Sequence, residues 1–193
     1  MNQLSNIGSN EPGTKRRFTV DEFERMGMAG IFGHDERVEL LAGEIYRMSP
    51  AGRFHEVLRS ELNDAWSART VRDKFKLLTE MPLRLSQDFE PVADLVVYPR
   101  SMLSPDVRGR DALLVVEIAD SSLKMDTTLK ASAYAAGGVR EYWVINARTR
   151  ETIIHRNPGP DGFATKFDLA ASDTLTPLLV PELAVRLADL PAA

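Results

Sequence analysis

Cysteine is absent from the 193 residues, and with it go disulfides, zinc–thiolate sites and cysteine nucleophiles. Histidine is scarce, and His34, His55 and His155 have no metal-site spacing. No apolar run approaches the roughly 20 residues of a transmembrane helix. The N-terminal MNQLSNIGSNEPGTKRR lacks the apolar stretch of a secretory signal. A basic excess is also missing. The net charge of −4 argues against a dedicated nucleic-acid binder, although an acidic enzyme can still carry a local basic groove. No glycine-rich phosphate loop precedes a helix, and there is no GxSxG elbow. What is present, 44% apolar and 27% charged residues, is the composition of a soluble globular protein. A cytoplasmic protein without a membrane partner is the expectation.

Residues 1–15 are rich in Asn, Ser, Gly and Pro and read as a flexible tail, leaving 16–193 as one domain. Thr19 and Glu22 fit a capping box that opens a helix ending near Gly27–Gly30. RVELLAGEIYRM, residues 37–48, reads as a hairpin turning at Ala42–Gly43. A helix is expected from Phe54 to Ala68, with Phe54, Val57, Leu58, Leu62, Ala65 and Trp66 as its apolar stripe. KFKLLTEMPLRL reads as one strand followed, after Pro82, by a second. ADLVVYP and ALLVVEIA look like strands buried on both faces. A helix over 124–136 should end at Gly137–Gly138, and REYWVIN and ETIIHRN form a second hairpin. FATKFDL is a weaker strand, and PELAVRLADL a short helix or edge strand. The order predicts a mixed α/β sheet with helices on its faces.

Asp94 and Glu117 stand out because each lies in or beside an apolar strand. A buried carboxylate must be paired, protonated or metal-bound. Two on neighbouring strands suit Mg²⁺, which takes one or two carboxylates plus waters. The plainer reading makes them strand-end residues or halves of ion pairs. Lys130, four residues after Asp126, reads most simply as half of an exposed helical ion pair. Pointed at the carboxylates, it could instead orient a water or stabilise developing charge. Glu39 and Glu44 in the first hairpin can face solvent. His55 opens a helix and is read as a polar surface residue unless it handles a phosphate or a proton. Trp66, Tyr134, Tyr142 and Trp143 are core or interface aromatics.

Taken in order, VELLAGEIYRMSP, His55, EPVADLVVYP, LLVVEIADSS, Asp126-xxx-Lys130, Tyr134 and GVREYWVIN resemble the Uma-two family of the PD-(D/E)XK restriction-endonuclease superfamily. The resemblance spans about residues 18–156. It implies a restriction-endonuclease-like α/β (α+β) fold: a central mixed sheet flanked by helices, with an N-terminal hairpin. It also implies an endonuclease, a hydrolase acting on phosphodiester bonds in DNA with Mg²⁺ or Mn²⁺, and a homodimer that takes one duplex strand per site. The aromatic GVREYWVIN strand and the apolar C-terminal segment are candidates for that interface. The implied site consists of Asp94 and Glu117 as metal ligands, with Lys130 and Glu39 as further catalytic residues and His55 and Asp126 as accessories. Two positions depart from the superfamily pattern. Ala93 stands where a proline usually precedes the first Asp, and Ala119 fills the usual lysine slot two residues after the Glu. Lys130 must then supply the charge from the following helix. The reading from another class is a catalytically silent nuclease-fold protein, an oligomeric scaffold or nucleic-acid-binding module.

Overall fold

The structure is a computed structural model that describes residues 15–69 and 74–193, so the expected tail lies outside the described residues except for Lys15. Helix α1, Val20–Met28, opens on the expected capping box. The Glu22 amide donates to Thr19 Oγ1 at 3.2 Å, and the Thr19 amide donates to Glu22 Oε2 at 3.1 Å. Strands β1 (Val38–Leu41) and β2 (Glu44–Arg47) pair antiparallel. Both turn residues have positive φ, 51° at Ala42 and 75° at Gly43. This turn matches the right-handed strand twist. A Cβ at Gly43 would lie 2.6 Å from that of Arg17, so only glycine fits.

The centre is a six-stranded mixed sheet. Its strands are β3 (Phe75–Pro82), β4 (Val92–Pro99), β5 (Leu114–Ala119), β6 (Glu141–Asn146), β7 (Thr152–Gly159) and β8 (Gly162–Leu169), in spatial order of sequence. Only β5 and β6 are parallel. The segment joining them, residues 120–140, therefore has to cross a face of the sheet. It does so as α3 (Leu123–Met125), a π-helical turn (Asp126–Lys130) and α4 (Ala131–Ala136). The sequence pattern implied one continuous helix there. The second strand expected after Pro82 does not form. That stretch instead folds back on the loop before β4, with the Leu83 amide donating to the Pro91 carbonyl at 2.9 Å.

Side-chain alternation divides the core between the two faces. Leu95, Val97, Leu114, Val116, Trp143 and Ile145 meet Leu58, Leu62 and Trp66 of α2, Arg53–Arg69. Full burial of a side chain of this size stabilises the fold by about 1.5–3 kcal/mol. Val96, Tyr98, Val115, Ala119 and Tyr142 meet Ala131 and Tyr134 on the other face. Phe54 departs from its expected place on the stripe. It is 38% exposed, and the Arg148 guanidinium lies over its ring at 4.7 Å.

The C-terminal segment contains β9 (Thr174–Leu175) and β10 (Val185–Arg186), which pair with each other, and short 3-10 turns. It covers the α2 face with Leu175, Val180, Leu183, Val185 and Leu187. The expectation that the aromatic strand forms a dimer surface is thus corrected. Tyr142 and Trp143 are 0% exposed, and most apolar C-terminal side chains pack on the chain's own sheet, with Leu178 and Leu179 left exposed. Among the described residues no helix is long and apolar enough to cross a membrane.

His155 on β7 packs against the rings of Tyr142 and Phe163, 5.4 and 5.5 Å away between centroids. Burial, helped by the charge of Lys166, pushes its pKa below the ordinary value. The unfolded chain therefore binds a proton that the folded one resists. Stability is full above about pH 6.5 and falls as the pH drops through that value toward the depressed folded pKa. Urea denaturation of wild type and His155→Phe at pH 7.5 and 5.0 checks this. The variant should lose less stability over the interval, and equal losses would contradict it.

Candidate active site

Strands β4 and β5 are paired at Leu95↔Val116, Val96↔Val115 and Val97↔Leu114. One further step would set Asp94 opposite Glu117, and there the strands part. The side chain of Asp94 takes over the freed ladder position, its Oδ2 accepting the Ile118 amide at 2.7 Å. On the other flank of β4, Glu80 breaks the β3 ladder between Thr79↔Leu95 and Met81↔Ala93, with φ 51°. The carboxylate is thus presented where regular pairing fails on both sides, which explains how an Asp is tolerated in so apolar a strand.

Four acidic groups gather at this fork. Glu117 projects from β5 onto the α4 face, where alternation places it with Val115 and Ala119. Glu39 arrives on β1, docked by reciprocal backbone bonds between Leu40 and Glu90 of 3.2 and 2.8 Å. Asp126 comes from the π-helical turn. Glu39, Asp94, Glu117 and Asp126 are all buried, as is Lys130. The expected exposed pair of Asp126 and Lys130 is therefore corrected: the turn directs both inward. The Lys130 ammonium lies 3.0 Å from Glu39 Oε2, 3.3 Å from Glu117 Oε1 and 3.9 Å from Asp126 Oδ1. Ser122 donates its hydroxyl to Asp126 Oδ2 at 2.5 Å. Glu39 also accepts the Val92 amide at 3.2 Å. From α2, His55 sets Nε2 3.0 Å from Asp94 Oδ1.

The electrostatics follow from burial first and from the neighbouring charges second. Burial pushes Glu117 well above the usual carboxylate range; Lys130 opposes this, and Asp94, Asp126 and Glu39 reinforce it. Burial likewise takes Asp126 up to about 6 against the pull of Lys130. Burial alone would depress Lys130, but the charges of Glu117, Glu39 and Asp126 raise it above its ordinary value, so it stays an ammonium. For His55 burial is outweighed by the hydrogen bond and charge of Asp94, and its pKa rises.

These groups line a cleft of about 330 Å³. Arg37, Arg47, Ser121 and Ser122 stand on its walls, and Gly52 closes one side so tightly that a Cβ there would lie 2.5 Å from Asp120 Oδ2. A larger cavity of about 430 Å³, over β3 between Glu24, Met81 and Arg108, contains none of the gathered carboxylates.

The sequence reading missed two features. Tyr134, read as a plain core aromatic, donates its hydroxyl to Glu117 Oε1 at 2.8 Å. The signal was its place four residues after Lys130, on the same side of the helix. Arg37 and Arg47 were not singled out as cleft residues. Glu44 stays outside the group, 3.4 Å from the Tyr46 hydroxyl.

The Uma2 family, described as "Putative restriction endonuclease", matches residues 20–189. The chain belongs to that family. Its fold is similar to the crystal structure of "a putative nuclease belonging to DUF820" from Anabaena variabilis ATCC 29413. The TM-score is 0.68 at 16% identity, over 89% of this chain and 96% of that one. No curated protein matches. The family and the shared architecture together make this a Uma2 chain with a restriction-endonuclease-like fold. Among the described residues no three His, Asp or Glu side chains converge closely enough to hold a metal ion. The donor chemistry nonetheless suits a hard cation. Four buried carboxylic groups face one ammonium and one imidazole; burial raises Glu117 and Asp126, and the neighbouring carboxylates add to it. Two carboxylates plus waters satisfy Mg²⁺.

Proposed function

We propose that this Uma2 protein is a metal-dependent endonuclease that hydrolyses phosphodiester bonds in DNA, with residues 16–193 acting as one domain. The observation that carries the proposal is the convergence of Asp94, Glu117, Glu39 and Lys130 at the fork of β4 and β5. Asp94 and Glu117 would hold Mg²⁺ or Mn²⁺. When bound, such an ion supplies an acidified water and charge neutralisation at the scissile phosphate.

The chain's own groups do the rest. Lys130, kept charged by its three carboxylates, faces the negative charge that develops on the phosphoryl oxygens. Glu39 anchors that ammonium from β1. His55 and the Ile118 amide orient Asp94 from its two oxygens. In the net reaction the oxygen of a water forms a bond to phosphorus, the ester P–O bond breaks, and the leaving oxygen takes a proton. Arg37 and Arg47 on the cleft wall offer charge to the flanking phosphates. A homodimer serving both strands would have to pair through a face other than the buried β6 aromatics.

Plasmid nicking with Mg²⁺ or Mn²⁺ tests the proposal. Asp94→Ala should reduce the rate at least about a hundredfold, because it removes one of the two carboxylates that would hold the ion supplying the acidified water and charge neutralisation. Equal rates for wild type and variant would remove the assignment. A wild type that never cleaves would favour the scaffold or binding-module reading.

A further inference from the structure

We infer that Tyr134 is a positioning residue of this site: its phenol, together with the Lys130 ammonium, fixes Oε1 of Glu117 and leaves Oε2 as the oxygen presented to a divalent cation. The inference deepens the proposed function and rests on it for the identity of the cation.

The geometry is specific. Tyr134 is 0% exposed and sits in an otherwise apolar cluster with Val96, Val115 and Val144. A phenylalanine would fill that volume without bringing in a hydroxyl, whose burial costs free energy unless it is bonded. The hydroxyl donates to Glu117 Oε1 at 2.8 Å, and Lys130 Nζ reaches the same oxygen at 3.3 Å. Among the described residues no hydrogen bond reaches Oε2, although Glu117 lines the cleft. Tyr134 itself is not among the residues lining that cleft, so it acts through Glu117.

A carboxylate needs such a brace because its terminal torsion is broad and roughly two-fold. Two donors on one oxygen select a single orientation and pre-organise the other oxygen. The brace has its own support. The Tyr134 ring packs on Tyr142, with centroids 4.6 Å apart, and the Tyr142 hydroxyl donates at 3.0 Å to the carbonyl of Asp126, the first residue of the π-helical turn. One pair of packed tyrosines thus ties the Lys130-bearing turn and the Glu117 carboxylate into one unit.

The test is Tyr134→Phe, which removes only the oxygen. Titration calorimetry with Mn²⁺ alone should show affinity lower by about 10- to 100-fold, the usual effect of losing a group that orients a metal ligand. In metal-free protein at one fixed pH, the side-chain carboxyl ¹³C resonance of Glu117 should move while that of Asp94 stays. A merely structural role would lower the thermal midpoint and leave both readouts unchanged. Independently of any variant, the Tyr134 hydroxyl proton in the wild type is expected to exchange slowly with solvent. An unmoved Glu117 resonance, or a rapidly exchanging hydroxyl, overturns the Tyr134 assignment by itself. A wild type that binds no Mn²⁺ overturns the cation reading, a separate failure that the metal-free resonance keeps apart from the first.

Discussion

Lys130→Met is expected to reduce phosphodiester cleavage by at least about 10²- to 10³-fold, the range seen when one preorganised charge partner of a transition state is removed. Methionine keeps much of the apolar stem and removes the ammonium. In the folded protein that ammonium is the cation shared by Glu39, Glu117 and Asp126. The substitution also has a readout that needs no substrate. Burial already raises Glu117 and Asp126, and Lys130 is the largest opposing influence on each. Without it both carboxyls rise further, and the folded state holds protons that the unfolded chain has released.

The direction of the linkage follows from that. A carboxyl whose folded pKa lies above its unfolded value stabilises fully at low pH, and this contribution is lost as pH rises through the window between the two. Lys130→Met should therefore lose more stability than wild type between pH 5 and pH 8, measured by urea unfolding in EDTA. A parallel pH dependence in the two proteins would mean that Lys130 does not hold the charge balance of the site.

Glu141→Ala should have the largest effect on stability, about 3–5 kcal/mol, because it leaves a partly buried guanidinium without its counter-charge. Glu141 is 0% exposed, yet it lies on the α2 face of the sheet, away from the cleft. Its Oε1 accepts from Trp143 Nε1 at 2.9 Å and from Arg156 Nε and Nη2 at 2.9 and 2.7 Å. Its Oε2 accepts the Leu178 amide at 2.5 Å, and Arg156 Nη2 continues to the Thr176 carbonyl at 3.0 Å. One carboxylate thus joins β6, β7 and the C-terminal segment that covers the α2 face. Removing it should lower the thermal midpoint by roughly 10 °C for a chain of this size. It should also make the C-terminal segment the first target of limited proteolysis. A loss below about 1 kcal/mol would place Glu141 among dispensable surface ion pairs instead.

Much of the fold was legible along the chain because its signals are local. The capping box at Thr19, the turn at Ala42–Gly43 and the Val-rich runs of β4 and β5 each follow from a few adjacent residues and the period of the element they form. The identity of the carboxylates was legible too, since Asp94 and Glu117 conflict with the apolar strands that carry them. Tertiary structure decided what such periods do not encode. Asp126 and Lys130 have the spacing of an exposed ion pair, and only the π-helical turn buries them. Glu39 was ambiguous on a short hairpin until the backbone bonds of Leu40 to Glu90 docked that hairpin beside β4. Tyr134 read as core because a ring's burial follows from its neighbours in sequence, whereas the partner of its hydroxyl lies 17 residues away on another element.

For the site opened by the parting of β4 and β5, the sequence by itself determined which side chains carry charge into an apolar environment. Only the folded chain decided that one lysine and one tyrosine meet the same glutamate oxygen. The physical reason is that burial propensity is a property of each residue, while the balance of four carboxylates against one ammonium depends on distances between four segments of chain.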